Sequence, residues 1–141
     1  MTSYEFPARF KTDPAGGFTV TFRDIPEAIT QGDTREEAES MAIDALITAM
    51  DFYIEQDRVL PQPSPARRGE TIVALPLSIC AKMALLGLVK EKQVRPANLA
   101  KAMGIKPQEV TRLLDLHHAT KIDTVAAAFK ALDKRLQLQV A

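Results

Sequence analysis

Hydrophobic positions alternate at the start of the chain and recur at helical spacing further on. In "YEFPARF", Tyr4, Phe6, Ala8 and Phe10 share one face; in "GFTVTFRDI", Phe18, Val20 and Phe22 point inward while Thr19, Thr21 and Arg23 point out. This period of two predicts a pair of strands, and "DPAGG" between them carries the proline and glycines of a hairpin turn. Pro7 has no N–H for a ladder, so the first strand is expected to pair through that position on one side only. "AITQGD" predicts a short third strand, turned at Gly32 and Asp33. The period then lengthens. Ala38, Met41, Ala42, Ala45, Leu46, Ala49 and Tyr53 form one face of a long helix, with Thr34 as its N-cap and Glu37 completing a capping box. Glu36, Glu37 and Glu39 suit the positive end of the helix dipole.

"LPQPSPARRG", residues 60 to 69, is an extended connection, and "ETIVALP" after it has the β-branched character of a strand returning to the first sheet. That places a domain boundary at Pro76, dividing the chain into 1–76 and 77–141. Beyond it the pattern is helical to about residue 135. Ser78 is the expected cap of a helix bearing Ile79, Met83, Leu86 and Val89. Pro96 opens a second, with Leu99, Ala100 and Met103 inward and Gly104 as its left-handed stop. Pro107 opens a third around Val110, Leu113 and Leu114. Thr120 and Asp123 resemble the start of a fourth, carrying Ile122, Val125, Ala126, Phe129 and Leu132. The tail "LQLQV" alternates again. It is either a short strand that pairs with a second copy through Leu136, Leu138 and Val140, or a frayed end.

The composition, 46% hydrophobic and 26% charged, is that of a soluble globular protein. No apolar run is long enough for a membrane span, and the first thirty residues lack the pattern of a secretion signal, so a cytoplasmic location is expected. The lone Cys80, among Leu77, Ile79 and Met83, reads as a small buried apolar group. The zero net charge changes the picture once it is divided. Residues 1–66 hold 5 Lys and Arg against 12 Asp and Glu, whereas residues 67–141 hold 13 against 6. Such asymmetry predicts different partners, a polyanion for the basic half and a basic protein for the acidic one.

The stretch "AKAMGIKPQEVTRLLDLHHATKID" combines these signals. A helix ending at Met103, a turn on Gly104 and Ile105, and a new helix from Pro107 follow the pattern of a helix-turn-helix, with small Ala100 where the helices cross. Lys106, Gln108, Glu109, Thr111 and Arg112 are left outward on the second of these helices. Gln bridges adenine, Arg bridges guanine and Thr offers a hydroxyl or methyl to base edges, while Arg95, Lys101 and Lys106 suit phosphates. His117 and His118 are adjacent, so they point apart, and no ligand-type residue falls at metal spacing near them. They are expected to cap or pack a loop. Neither a metal nor a cofactor is called for, and Asp13, Asp24, Glu27 and Asp33 fall mostly in turns rather than converging as a two-metal nuclease requires.

"GGFTVTFRDIPEAITQGDTREEAESMAIDAL", residues 16–46, resembles the signature of the HicB antitoxins, in which an acidic-apolar-Pro turn leads to "TQGDT", "EEA" and a long helix. Glu27 and Ala28 depart from the Gly-Cys pair found there in many members. The second half resembles the Cro/repressor-type helix-turn-helix of the longer HicB proteins. The resemblance implies an α+β chain: a β-β-β-α-β domain similar to a truncated ribonuclease H fold without its catalytic carboxylates, then a helical DNA-binding domain with a short C-terminal strand. It implies no enzymatic activity and a small basic partner, the HicA toxin, which cleaves RNA and which the acidic domain would cover. The toxin contact is accordingly expected at Arg23, Asp24, Glu27 and Gln31. The basic domain would bind the operator of its own operon as a dimer, or as a tetramer. The competing reading is a free-standing repressor whose first domain senses a ligand or oligomerises.

Overall fold

The computed structural model describes residues 4–141. The chain folds as two compact units, one ending at Leu75 and the other running from Pro76 to Ala141. The first contains the strands β1 (Glu5–Thr12), β2 (Phe18–Phe22), β3 (Ile29–Gly32) and β4 (Thr71–Ala74), with the helix α1 (Arg35–Glu55) between β3 and β4. The sheet is antiparallel throughout, in the order β3-β2-β1-β4. Pro7 stands opposite Ile72 of β4 and has no counterpart in the β2 register, which begins at Ala8 and Phe22. A central strand therefore tolerates a residue that cannot donate on its other side.

One face of the sheet contributes Tyr4, Phe6, Ala8, Val20, Phe22 and Val73 to the core, and α1 contributes Ala38, Ala42, Leu46, Ala49, Met50 and Tyr53. The small side chains at 38, 42 and 49 let the helix axis approach the sheet closely. Met41, expected inward, is 40% exposed, and Met50 takes the interior place instead. At the start of α1, the Thr34 hydroxyl accepts the N–H of Glu37 at 3.1 Å. The Glu37 carboxylate reaches back to the N–H of Asp33 at 3.3 Å, one residue before the cap, so the reciprocal bond of the box is displaced. Phe10 and Phe18 are only half-buried, and Arg35 lies over both rings, 3.9 and 5.8 Å from their centroids, covering part of what the sheet leaves open.

The second unit contains α2 (Leu77–Glu91), α3 (Pro96–Met103), α4 (Pro107–Leu113) and α5 (Ile122–Ala131). Its core joins Ala81 and Leu85 to Leu99, Ala100, Val110, Leu113, Val125, Ala128, Phe129 and Leu132. Pro96 and Pro107 occupy first turns, and Gly104 ends α3 at φ 68° in the left-handed region, where a side chain would be strained.

Several expectations for this unit are corrected. Ser78 does not cap α2: the helix begins at Leu77 behind Pro76, so Ser78 already lies in the first turn, and Ile79 and Leu86 are only half-buried. Thr120 does not cap α5, because Lys121 holds the cap position; the Thr120 hydroxyl is buried with no hydrogen-bond partner among the described residues. Ile122 is 49% exposed, and Ala128 takes an inner position. The tail forms no strand within this chain. Leu136 packs partly on the unit's core, while Leu138 and Val140 are 78% and 89% exposed. A strand needs a neighbour for its N–H and C=O groups, and a single copy offers this tail none.

Candidate nucleic-acid and protein interfaces

All seven residues expected to face DNA are exposed, and the fold collects them on two consecutive helices. Arg95 and Lys106 are the N-cap residues of α3 and α4, and Lys101 lies on α3. Gln108, Glu109, Thr111 and Arg112 project from α4 opposite Val110 and Leu113, which anchor it. The Thr111 hydroxyl donates to the Pro107 carbonyl at 3.2 Å, which leaves its lone pairs and methyl group for an outside partner. His117 and His118 are exposed, and the turn that carries them is built by Asp115, whose carboxylate accepts the His117 N–H at 2.9 Å. Among the described residues no group of three or more His, Cys, Asp or Glu is placed to hold a metal ion.

The four residues expected to meet a protein partner are not brought together as one surface. Arg23 and Asp24 bind the connection between α1 and β4. The Arg23 guanidinium donates to the Ser64 hydroxyl at 2.6 Å, and that hydroxyl donates onward to Asp24 at 2.8 Å. Asp24 also accepts the Ser64 N–H at 2.8 Å. Arg23 further forms two hydrogen bonds to Glu70, at 3.2 and 2.9 Å. That guanidinium and the Arg67 N–H hold the Glu70 carboxyl well below its usual range, at about 2. Glu27 accepts the Tyr53 hydroxyl at 3.1 and 3.0 Å and lies 3.7 Å from Arg58, which stacks on the Tyr53 ring. This closes the end of α1 onto the turn before β3. Gln31 is exposed on the sheet face opposite α1.

Sequence reasoning missed where the negative charge of this unit is concentrated. Six of its thirteen Asp and Glu lie on α1 with a single Arg. Glu37, Asp44 and Glu55 are exposed there beside Met41 and Phe52, the latter 53% exposed. The spacing 37, 41, 44, 48, 52, 55 marks the outer stripe of the helix and is legible in the sequence.

A sheet-and-helix unit with an acidic helix is thus followed by a basic four-helix unit. Residues 5–84 match the family described as the HicB-like antitoxin of bacterial toxin-antitoxin systems. The chain is 50% identical over 133 residues to Antitoxin HicB 2 of Photorhabdus laumondii, covering 94% of each protein. It is 46% identical to Antitoxin HicB of Escherichia coli, covering 94% of this chain and 96% of that one, and 33% identical to Antitoxin HicB of Pseudomonas fluorescens over 97% and 94%. The chain belongs to the HicB-like antitoxin family. It is the antitoxin of a toxin-antitoxin system and not an enzyme. No helix among the described residues is long and apolar enough to cross a membrane.

Proposed function

We propose that the two units divide the work of a cytoplasmic antitoxin: the first neutralises a HicA-type RNA-cleaving toxin, and the second represses the chain's own operon by binding operator DNA. The observation that carries this reading is that the sign of charge changes at the boundary between the units. Up to Leu75 the chain holds 7 Lys and Arg against 13 Asp and Glu; from Pro76 it holds 11 against 5. An acidic surface speeds encounter with a basic RNA-binding protein, and a basic one attracts the phosphate backbone. The exposed stripe of α1, with Met41 and Phe52 as apolar anchors among carboxylates, offers the first contact, and Gln31, on the sheet face opposite α1, offers a second and separate one. Glu27 holds the end of α1 in place, Arg23 and Asp24 hold the connection before β4, and each offers its exposed edge as a further toxin contact.

In the second unit α3 and α4 act as a helix-turn-helix. Gln108, Glu109, Thr111 and Arg112 enter the major groove, while Arg95, Lys101 and Lys106 reach phosphates. A dimer, joined through Leu136, Leu138 and Val140 of the tail, sets two such units on half-sites about 34 Å apart, or a multiple of it. The test begins with the neighbouring reading frame, co-expressed with this chain. A stable complex that restores growth supports the first half, and a toxic product that neither co-purifies nor is relieved overturns it. For the second half, Arg112→Ala and Gln108→Ala should each cost about 1 to 3 kcal/mol at one operator position. Lys106→Ala should instead weaken binding to every duplex and flatten its salt dependence. A footprint unchanged by the Arg112 and Gln108 substitutions removes α4 from the reading role.

A further inference from the structure

α4 is short, and its anchorage is narrow. Its two buried side chains, Val110 and Leu113, lie three residues apart along one stripe with Leu114 partly buried beside them, so apolar packing presses the helix onto the core without the directional hold on its tilt that hydrogen bonds give. A directional attachment comes from α2. Lys82 is 2% exposed, and its ammonium donates to the carbonyls of Arg112 at 3.1 Å and Asp115 at 2.8 Å, and to that of His118. All three donors of the ammonium are thereby used on backbone at and just beyond the end of α4. A positive charge belongs at the negative end of a helix, which offsets part of the cost of burying it. That burial lowers the Lys82 pKa, and nearby Asp115 opposes the effect. The His pair thus has a role in the fold through the His118 carbonyl.

We propose that Lys82 is a positioning residue for sequence reading: by fastening the end of α4 to α2 at three carbonyls, it fixes the tilt at which Gln108, Thr111 and Arg112 meet base edges. The inference rests on the reading of α4 as the DNA-facing helix. Hydrogen bonds to bases are made within a few tenths of an ångström and fail on rocking, whereas long Lys and Arg side chains still find phosphates. Loss of the clamp therefore removes discrimination before it removes binding. Two of the three carbonyls keep a partner after that loss, because the Arg112 carbonyl still accepts the N–H groups of Leu114 and Asp115, and the Asp115 carbonyl that of His118.

The test uses the full chain, with Lys82→Met, which matches the stem without the charge, and Lys82→Gln, which retains two donors. The probes are a duplex recovered by the wild-type chain from a random-sequence library and a scrambled duplex of the same composition. For Lys82→Met, affinity for the recovered duplex should fall about tenfold or more, the worth of a well-placed base contact. Affinity for the scrambled duplex and its salt dependence should stay within about twofold, since phosphate contacts are untouched. Lys82→Gln should recover part of the discrimination. Amide hydrogen exchange should quicken at residues 114–118 and stay unchanged in α3. A folded Lys82→Met that discriminates as the wild type does overturns the proposal, as does an equal loss of both duplexes. If Lys82→Met does not fold, Lys82→Gln carries the same comparison and the same two overturning results. If the wild-type chain recovers no duplex, the DNA-reading role itself falls; the anchoring of α4 is then decided separately by the exchange rates.

Discussion

Gly32→Ala isolates one of the closest approaches in the first unit. Gly32 ends β3 opposite Phe18, and a Cβ built there would lie 2.5 Å from the N of Ala38, 2.7 Å from its Cα and 2.9 Å from the carbonyl carbon of Glu37. These are backbone atoms of the first turn of α1, which the Thr34 cap holds in place. No rotamer change relieves such a contact; either β3 leaves its ladder or α1 moves off the sheet. Overpacking commonly costs 1–3 kcal/mol, and with rigid backbone on both sides we place this case at about 3 kcal/mol or more. For a unit of this size that corresponds to a fall in Tm of at least roughly 12 °C. Tyrosine fluorescence isolates the response, because the chain has two tyrosines, Tyr4 and Tyr53, both in the first unit, and no tryptophan. Gly87→Ala in α2 is the control. A Cβ there meets nothing within 4 Å beyond its chain neighbours and the backbone of its own helix, so higher helix propensity should stabilise the second unit by about 0.8–1.0 kcal/mol without touching the tyrosine signal. A Gly32→Ala chain whose unfolding free energy from urea titration lies within about 0.5 kcal/mol of wild type would refute the steric argument.

Glu70, held at about 2 in the folded chain against 4.5 for the free group, stabilises the first unit fully above pH 4.5 and loses that contribution as pH falls toward 2. Glu70→Gln should flatten this acid dependence, measured by tyrosine fluorescence, and an unchanged pH profile would separate Glu70 from the acid transition. Arg23→Ala should free the connection around Ser64, which limited proteolysis would detect as new cleavage between residues 58 and 70; full resistance would contradict that role for Arg23. Deleting residues 137–141, which spares the packed Leu136, should leave toxin binding intact and reduce the oligomer and operator affinity together. Analytical ultracentrifugation showing the full oligomer would move the dimer contact elsewhere.

Patterns with strong local causes were legible from the chain. The hairpin, the Thr34 cap and the paired Pro96 and Pro107 starts each depend on one or two side chains and their immediate backbone. The face of α2 was not legible, because its run of apolar residues from Leu77 to Val89 offers several stripes, and only the docked α5 selects Ala81 and Leu85. Distant pairs were hidden for a similar reason. Nothing local joins Arg23 to Glu70, and a lysine within a basic half reads as a surface charge until α4 is seen to end against Lys82. Gly32 looked like a turn glycine, yet the space it leaves for Ala38 is what requires it.

The division of labour between the units is tested most directly by residues 1–75 alone, expressed in cells that carry both the neighbouring toxin gene and a reporter under the operon's own promoter. The fragment keeps the whole four-stranded sheet and α1 and loses α2 to α5. Growth should be restored while the reporter stays fully derepressed, and the full chain should do both. A fragment shown to be folded by tyrosine fluorescence that fails to restore growth, or one that represses the reporter, would contradict the assignment of toxin and operator to separate units.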